Sequence, residues 1–86
     1  MADTPRPQLY GTAWCPKSAN LADFLQREFI DLDFHDIEAS QEAEFAVRNM
    51  NGGEIKFPML VVGDAVMKNP KIDQLREVLR AKGLLK

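Results

Sequence analysis

Trp14-Cys15-Pro16-Lys17-Ser18 is the stretch of this 86-residue sequence best equipped for chemistry, and Cys15 is its only cysteine. A lone cysteine forms no intramolecular disulfide and no metal site made of cysteines alone. It is buried filler, a free reactive thiol, or half of an intermolecular bond. Pro16 in a helix interior would cost about 3 kcal/mol, so a helix must begin at Cys15–Pro16 and not earlier. The unpaired N–H groups of a first turn, with the helix dipole, put roughly half a positive charge beside the sulfur. Such a position lowers a cysteine pKa from about 8.5 into the range of roughly 3.5–7.5. Lys17 adds a cation, Ser18 offers a hydroxyl one turn along, and Pro16 stiffens the turn. The expectation is an exposed, activated nucleophile. The plain alternative is an inert core cysteine, which fits poorly between Trp and Pro at a helix start.

The elements that must position this thiol follow from patterning. Residues 7–12 read as a short strand weakened by Gly11. Leu21, Phe24, Leu25 and Phe29 give the helix after Pro16 an apolar face. Residues 32–37 read as an alternating strand with one face buried. Ser40 is the expected N-cap of a second helix, with Glu42 and Glu44 at its positive end and Asn51-Gly52-Gly53 ending it. Residues 57–62 and 65–68 read as a hairpin turning at Gly63-Asp64. Asn69-Pro70 opens the last helix, with Asn69 read as its cap and Ile72, Leu75, Val78 and Leu79 as its apolar face. The order β-α-β-α-β-β-α implies an α/β fold with a four-stranded mixed sheet and helices on both faces. The length implies one domain, 1–86, with residues 1–6 as a loose start.

The stretch Tyr10-Gly11-Thr12-Ala13-Trp14-Cys15-Pro16-Lys17-Ser18 resembles the active-site segment of glutaredoxins, which share the thioredoxin fold. That family carries Cys-Pro-Tyr-Cys or, in monothiol members, Cys-x-x-Ser. Phe57-Pro58 resembles the family's Thr-Val-Pro segment, whose proline is cis and faces the cysteine. Asn51-Gly52-Gly53 and Asn69-Pro70-Lys71 resemble the pattern of mycoredoxins and related bacterial glutaredoxin-like proteins. The resemblance covers about residues 7–82 and matches the element order read from patterning alone.

The resemblance implies a monothiol thiol–disulfide oxidoreductase. Cys15 would attack mixed disulfides between a protein and a low-molecular-weight thiol, with Trp14, Pro16, Lys17, Ser18 and Pro58 shaping the site. It implies no bound cofactor, and glutathione or a related thiol as co-substrate. The backbone of Phe57 would pair with the small thiol, and backbone near Asn69-Pro70 would meet its γ-glutamyl end. Ser18 replaces the resolving cysteine of dithiol members. Thr12 stands where many members have a lysine that helps hold glutathione. Pro16 stands where cluster-binding monothiol members have glycine, which argues against an iron–sulfur role.

Other residues read more plainly. Arg48 and Lys56 are candidate clamps for a carboxylate, against the reading of solvated side chains. Trp14 is a core anchor or an exposed wall beside the sulfur, and Tyr10 packs in the core. His35 reads as surface, Asp31, Asp33 and Asp36 as a solvated edge, and Met50, Met59 and Met67 as core.

Eleven Lys and Arg against thirteen Asp and Glu leave a net charge of −2, which gives no basic field for nucleic acid. The longest apolar run, Met59-Leu60-Val61-Val62, is far short of a membrane span. Residues 1–7 have no apolar signal-peptide core, so a cytoplasmic monomer is expected. Two rivals stand beside the oxidoreductase. One is a carrier sharing Cys15 across a dimer to hold an iron–sulfur cluster with external thiols. The other is a redox-inactive interaction module, whose sign would be a buried Cys15.

Overall fold

The first helix starts where proline forces it to start. The computed structural model describes residues 6–85. Strand β1 (Gln8–Gly11) leads to helix α1 (Pro16–Arg27), with Pro16 at its first position. Strand β2 (Asp33–Asp36), helix α2 (Gln41–Met50), strands β3 (Met59–Val62) and β4 (Ala65–Lys68), and helix α3 (Ile72–Ala81) follow. The strands form one four-stranded sheet in the order β2-β1-β3-β4. The β1–β2 pair is parallel, and the β1–β3 and β3–β4 pairs are antiparallel.

Alternation along the strands separates the two faces of this sheet. Leu9, Leu60, Val62 and Met67 face one side, where Leu21 and Leu25 of α1 and Leu75 and Leu79 of α3 cover them. Met59 packs on the other side with Ile37 and with Ala43 and Val47 of α2. Helices therefore cover both faces, as the pattern requires. Each fully buried leucine contributes roughly 1.5–3 kcal/mol.

The caps of α2 match their residues. The Ala43 N–H donates to Ser40 Oγ at 3.2 Å, a cap worth about 1 kcal/mol. Gly52 and Gly53 carry the positive φ values, 65° and 101°, that let the chain leave the helix.

Several expectations need correction. Phe29 is 96 % exposed. Helix α1 ends at Arg27 and Phe29 takes φ 58°, so helical periodicity no longer carries its side chain to the core. Phe34 is 44 % exposed. Alternation fails at Asp36, and β2 is an edge strand whose outer flank is uncovered. His35 is half-buried rather than on the open surface, stacked on Tyr10 with ring centroids 4.7 Å apart and bonded to Gln8 Oε1 at 2.6 Å. Asp33 is not simply solvated, because it accepts from Gln8 Nε2 at 2.8 Å and pairs with Arg6 at 2.9 Å. Met50 lies at the core's margin, while Met59 and Met67 are buried. Asn69 does not cap α3. Lys71 is the N-cap, and Asn69 sits at φ 46° with its N–H donating to the Pro58 carbonyl at 2.7 Å. Residues 1–5 of the expected loose start lie outside the described residues.

Register brings the functional loops together. Gly11 pairs with Asp36, Tyr10 with Met59, and Met59 with Lys68. The carboxyl ends of β1, β2 and β4 thus meet the start of β3 at one edge of the sheet. Cys15, Glu38, Pro58 and Asn69 all follow or precede those strand ends by a few residues.

Candidate functional site

Cys15 is the N-cap residue of α1, with φ −78° and ψ 119°. Pro16 has no N–H, so Lys17 and Ser18 supply the first free donors of the helix. The neutral thiol makes no cap hydrogen bond, and no acidic residue occupies the first turn. Partial burial pushes the Cys15 thiol up. The Ser18 backbone N–H, the Ser18 hydroxyl, the Lys17 backbone N–H and the Lys17 charge more than offset it, so the thiol lies below its ordinary value. The expected exposure is corrected: Cys15 is only 7 % exposed. Its neighbours Ala13, Trp14, Pro16 and Lys17 are exposed, so the sulfur lies at the floor of a surface site.

Ser18 is 1 % exposed, and its Oγ has no hydrogen-bond partner in the structure. Its position beside the sulfur makes the thiolate its natural acceptor. Gly11 makes room for it: a Cβ on Gly11 would lie 2.2 Å from Ser18 Oγ and 3.0 Å from Ser18 Cβ. Gly11→Ala is therefore expected to destabilise the fold by about 1–3 kcal/mol, the usual cost of overpacking. It should also raise the Cys15 pKa, because Ser18 must move. Chemical denaturation and the pH dependence of Cys15 alkylation check the two effects.

Trp14 is the exposed wall of the two readings, at 65 % exposure. Its Nε1–H donates to Glu38 Oε1 at 2.7 Å, and its ring meets Phe57 edge-on with centroids 5.8 Å apart. This contact ties the cysteine loop to the Phe57-Pro58 segment, whose peptide bond is cis. Pro58 is buried and Phe57 half-buried.

Two cavities open at this edge. One, of about 390 Å³, is lined by Lys17, Asn20, Asn69, Pro70 and Lys71, among others. The second, of about 410 Å³, is lined by Thr12, Ile37, Glu38, Glu44, Ile55 and Phe57. Of the small-thiol candidates, Thr12, Phe57 and Asn69 lie here. Arg48 lies outside both linings and is engaged elsewhere, pairing with Glu44 at 3.1 Å and donating to the Gly53 carbonyl at 2.9 Å. Lys56 pairs loosely with Glu54 at 3.9 Å. Sequence reasoning missed Glu38, Glu44 and Ile55. Glu38 was open to detection, since ligands of α/β sheets bind beyond the carboxyl ends of strands and Glu38 follows β2.

Comparison with known proteins bears on the whole arrangement. A family model described as glutaredoxin matches residues 8–67. Comparison with curated proteins gives no match. Among solved structures, the glutaredoxin from Archaeoglobus fulgidus is 24 % identical, covers 88 % of this chain and 87 % of its own, and has a TM-score of 0.74. The thioredoxin-like protein BC3987 is 18 % identical, with 86 % and 100 % covered and a TM-score of 0.77. These likenesses show the fold: a thioredoxin-like α/β arrangement with a four-stranded mixed sheet and three helices.

Proposed function

Since the chain belongs to the glutaredoxin family, we propose that it is a monothiol thiol–disulfide oxidoreductase acting on mixed disulfides between proteins and a low-molecular-weight thiol. The observation that carries this reading is Cys15 at the start of α1 with its thiol held below the ordinary value. The Cys15 thiolate attacks the small-thiol sulfur of the mixed disulfide. That S–S bond breaks, and its electron pair leaves on the protein sulfur, which takes a proton from water. A Cys15–small-thiol disulfide has formed. A second small thiolate then attacks the carried sulfur and leaves as the symmetrical small disulfide, returning Cys15 as thiolate. One small thiol is oxidised per protein disulfide reduced, and every step is thiol exchange.

The remaining roles follow from position. Lys17 and Ser18 hold the thiolate form. Trp14 and Phe57 wall the approach, Pro16 starts the helix, and Pro58 fixes the opposing loop. Thr12 and Asn69 line the flanking cavities. Arg48 is proposed as a brace for the Gly53 turn, not as a clamp. A glutathione-type thiol is the co-substrate that family membership implies. A lone thiol suits a reducing compartment, so the proposal includes a single-domain monomer in the cytoplasm. The net charge of −2 supports a partner other than nucleic acid.

Intact-mass analysis after incubation with oxidised glutathione and other small disulfides tests this. One adduct on Cys15, lost on adding free thiol, is expected. An unmodified chain under all conditions would overturn the reading. The 7 % exposure of Cys15 favours one rival, the redox-inactive module, and that module is what an unmodified chain would indicate.

A further inference from the structure

The cavity beside Thr12 has a lining that suits some ligands and opposes others. It touches the reactive loop directly, since the Cys15 N–H donates to the Thr12 carbonyl at 3.3 Å. Thr12 is 2 % exposed, and its Oγ1 has no hydrogen-bond partner. A buried hydroxyl left unpaired costs about 1–3 kcal/mol, which a ligand group bonded to it would recover. Two carboxylates share the lining. Glu38 uses Oε1 to accept from Trp14, and Glu44 uses Oε1 to accept from Arg48. The second oxygen of each has no partner among the described residues. Ile37, Ile55 and Phe57 supply apolar walls, and no lining residue is cationic.

We propose that this cavity is the selectivity pocket for the small thiol, and that it accepts an uncharged or cationic hydrogen-bond donor while rejecting a carboxylate. The inference rests on the oxidoreductase reading. A carboxylate placed there would meet the unpaired charge of Glu38 and the outer oxygen of Glu44, whose other oxygen Arg48 holds from outside the lining. An ammonium, amide or hydroxyl group donates to Glu38 and Glu44 and satisfies Thr12. The other flank of the sulfur carries Lys17 and Lys71, so an anionic end of the same ligand has its place there.

Two disulfides of similar size and opposite charge test the assignment: cystamine and dithiodiglycolate. In each reaction the Cys15 thiolate forms a bond to one sulfur of the disulfide and the other sulfur leaves as thiolate. The measured quantity is the ratio of adduct-formation rates, cystamine over dithiodiglycolate. In the Glu38→Gln, Glu44→Gln double variant this ratio should fall by about tenfold, the effect of about 1.4 kcal/mol. Glutamine keeps the oxygen acceptor for Trp14, so the wall stays in place. A second variant guards against misfolding as the cause. Thr12→Val should raise the melting temperature by removing the orphaned hydroxyl, and should slow adduct formation with hydroxyethyl disulfide. An unchanged ratio in the double variant, or a lowered melting temperature in Thr12→Val, would overturn the proposal. Absence of any adduct in the unaltered chain would overturn the oxidoreductase reading and this proposal with it.

Discussion

Cys15→Ser lowers thiol–disulfide exchange by roughly a thousandfold or more, on the scale expected when a reaction loses its nucleophile, and leaves the fold intact. The reason for the second half is local. Cys15 is an N-cap that makes no cap hydrogen bond, and serine is among the preferred N-caps. The substituted hydroxyl should accept from the first-turn N–H groups, so the melting temperature should hold or rise by a few degrees. Stability and activity thus move in opposite directions at one residue. A cysteine that served as core filler would show the reverse, with function kept and stability lost. Turnover of a glutathionylated peptide, with thermal denaturation of the same samples, checks both.

The second large effect comes from Ser18→Cys. Position 18 lies one helical turn from Cys15 on the same face, buried to 1 % exposure beside the sulfur. A thiol there attacks the Cys15 adduct, releases the small thiol, and leaves an intramolecular disulfide. The adduct that accumulates on the unaltered chain should then fail to accumulate, and the product should be lighter than the reduced chain by two hydrogens. Regeneration would require a reductant for a dithiol disulfide rather than a single small thiol. A stable small-thiol adduct on this variant, as on the unaltered chain, would contradict the geometry assigned to Ser18.

Local chemistry made much of this legible in sequence. Pro16 forces the start of α1 and Ser40 caps α2, and both stand where their residue types require. The place of Cys15 at the start of α1 followed too, because a helix start next to the only cysteine is a local fact. Features that depend on neighbours in space did not follow. Phe34 alternates correctly and is still exposed, because strand order puts β2 at an edge. Asn69 looks like a cap, but the Pro58 carbonyl claims its N–H and sets its φ. Arg48 looks available on a helix face, but Glu44 one turn back and the Gly53 carbonyl hold it. The acidic lining at Glu38 and Glu44 is assembled from β2's end and α2, which no local pattern joins.

The central claim is that Cys15 is held as a thiolate by the start of α1. The alkylation rate of Cys15 by iodoacetamide, followed against pH in the native and denatured chain, tests it most directly. Only the thiolate reacts, so a lowered pKa shifts the rise in rate to lower pH. The account predicts a native midpoint below that of the denatured chain, whose value should sit near the ordinary cysteine pKa of about 8.5. It also predicts that Ser18→Ala moves the native midpoint upward. A native midpoint at or above that of the denatured chain would contradict it.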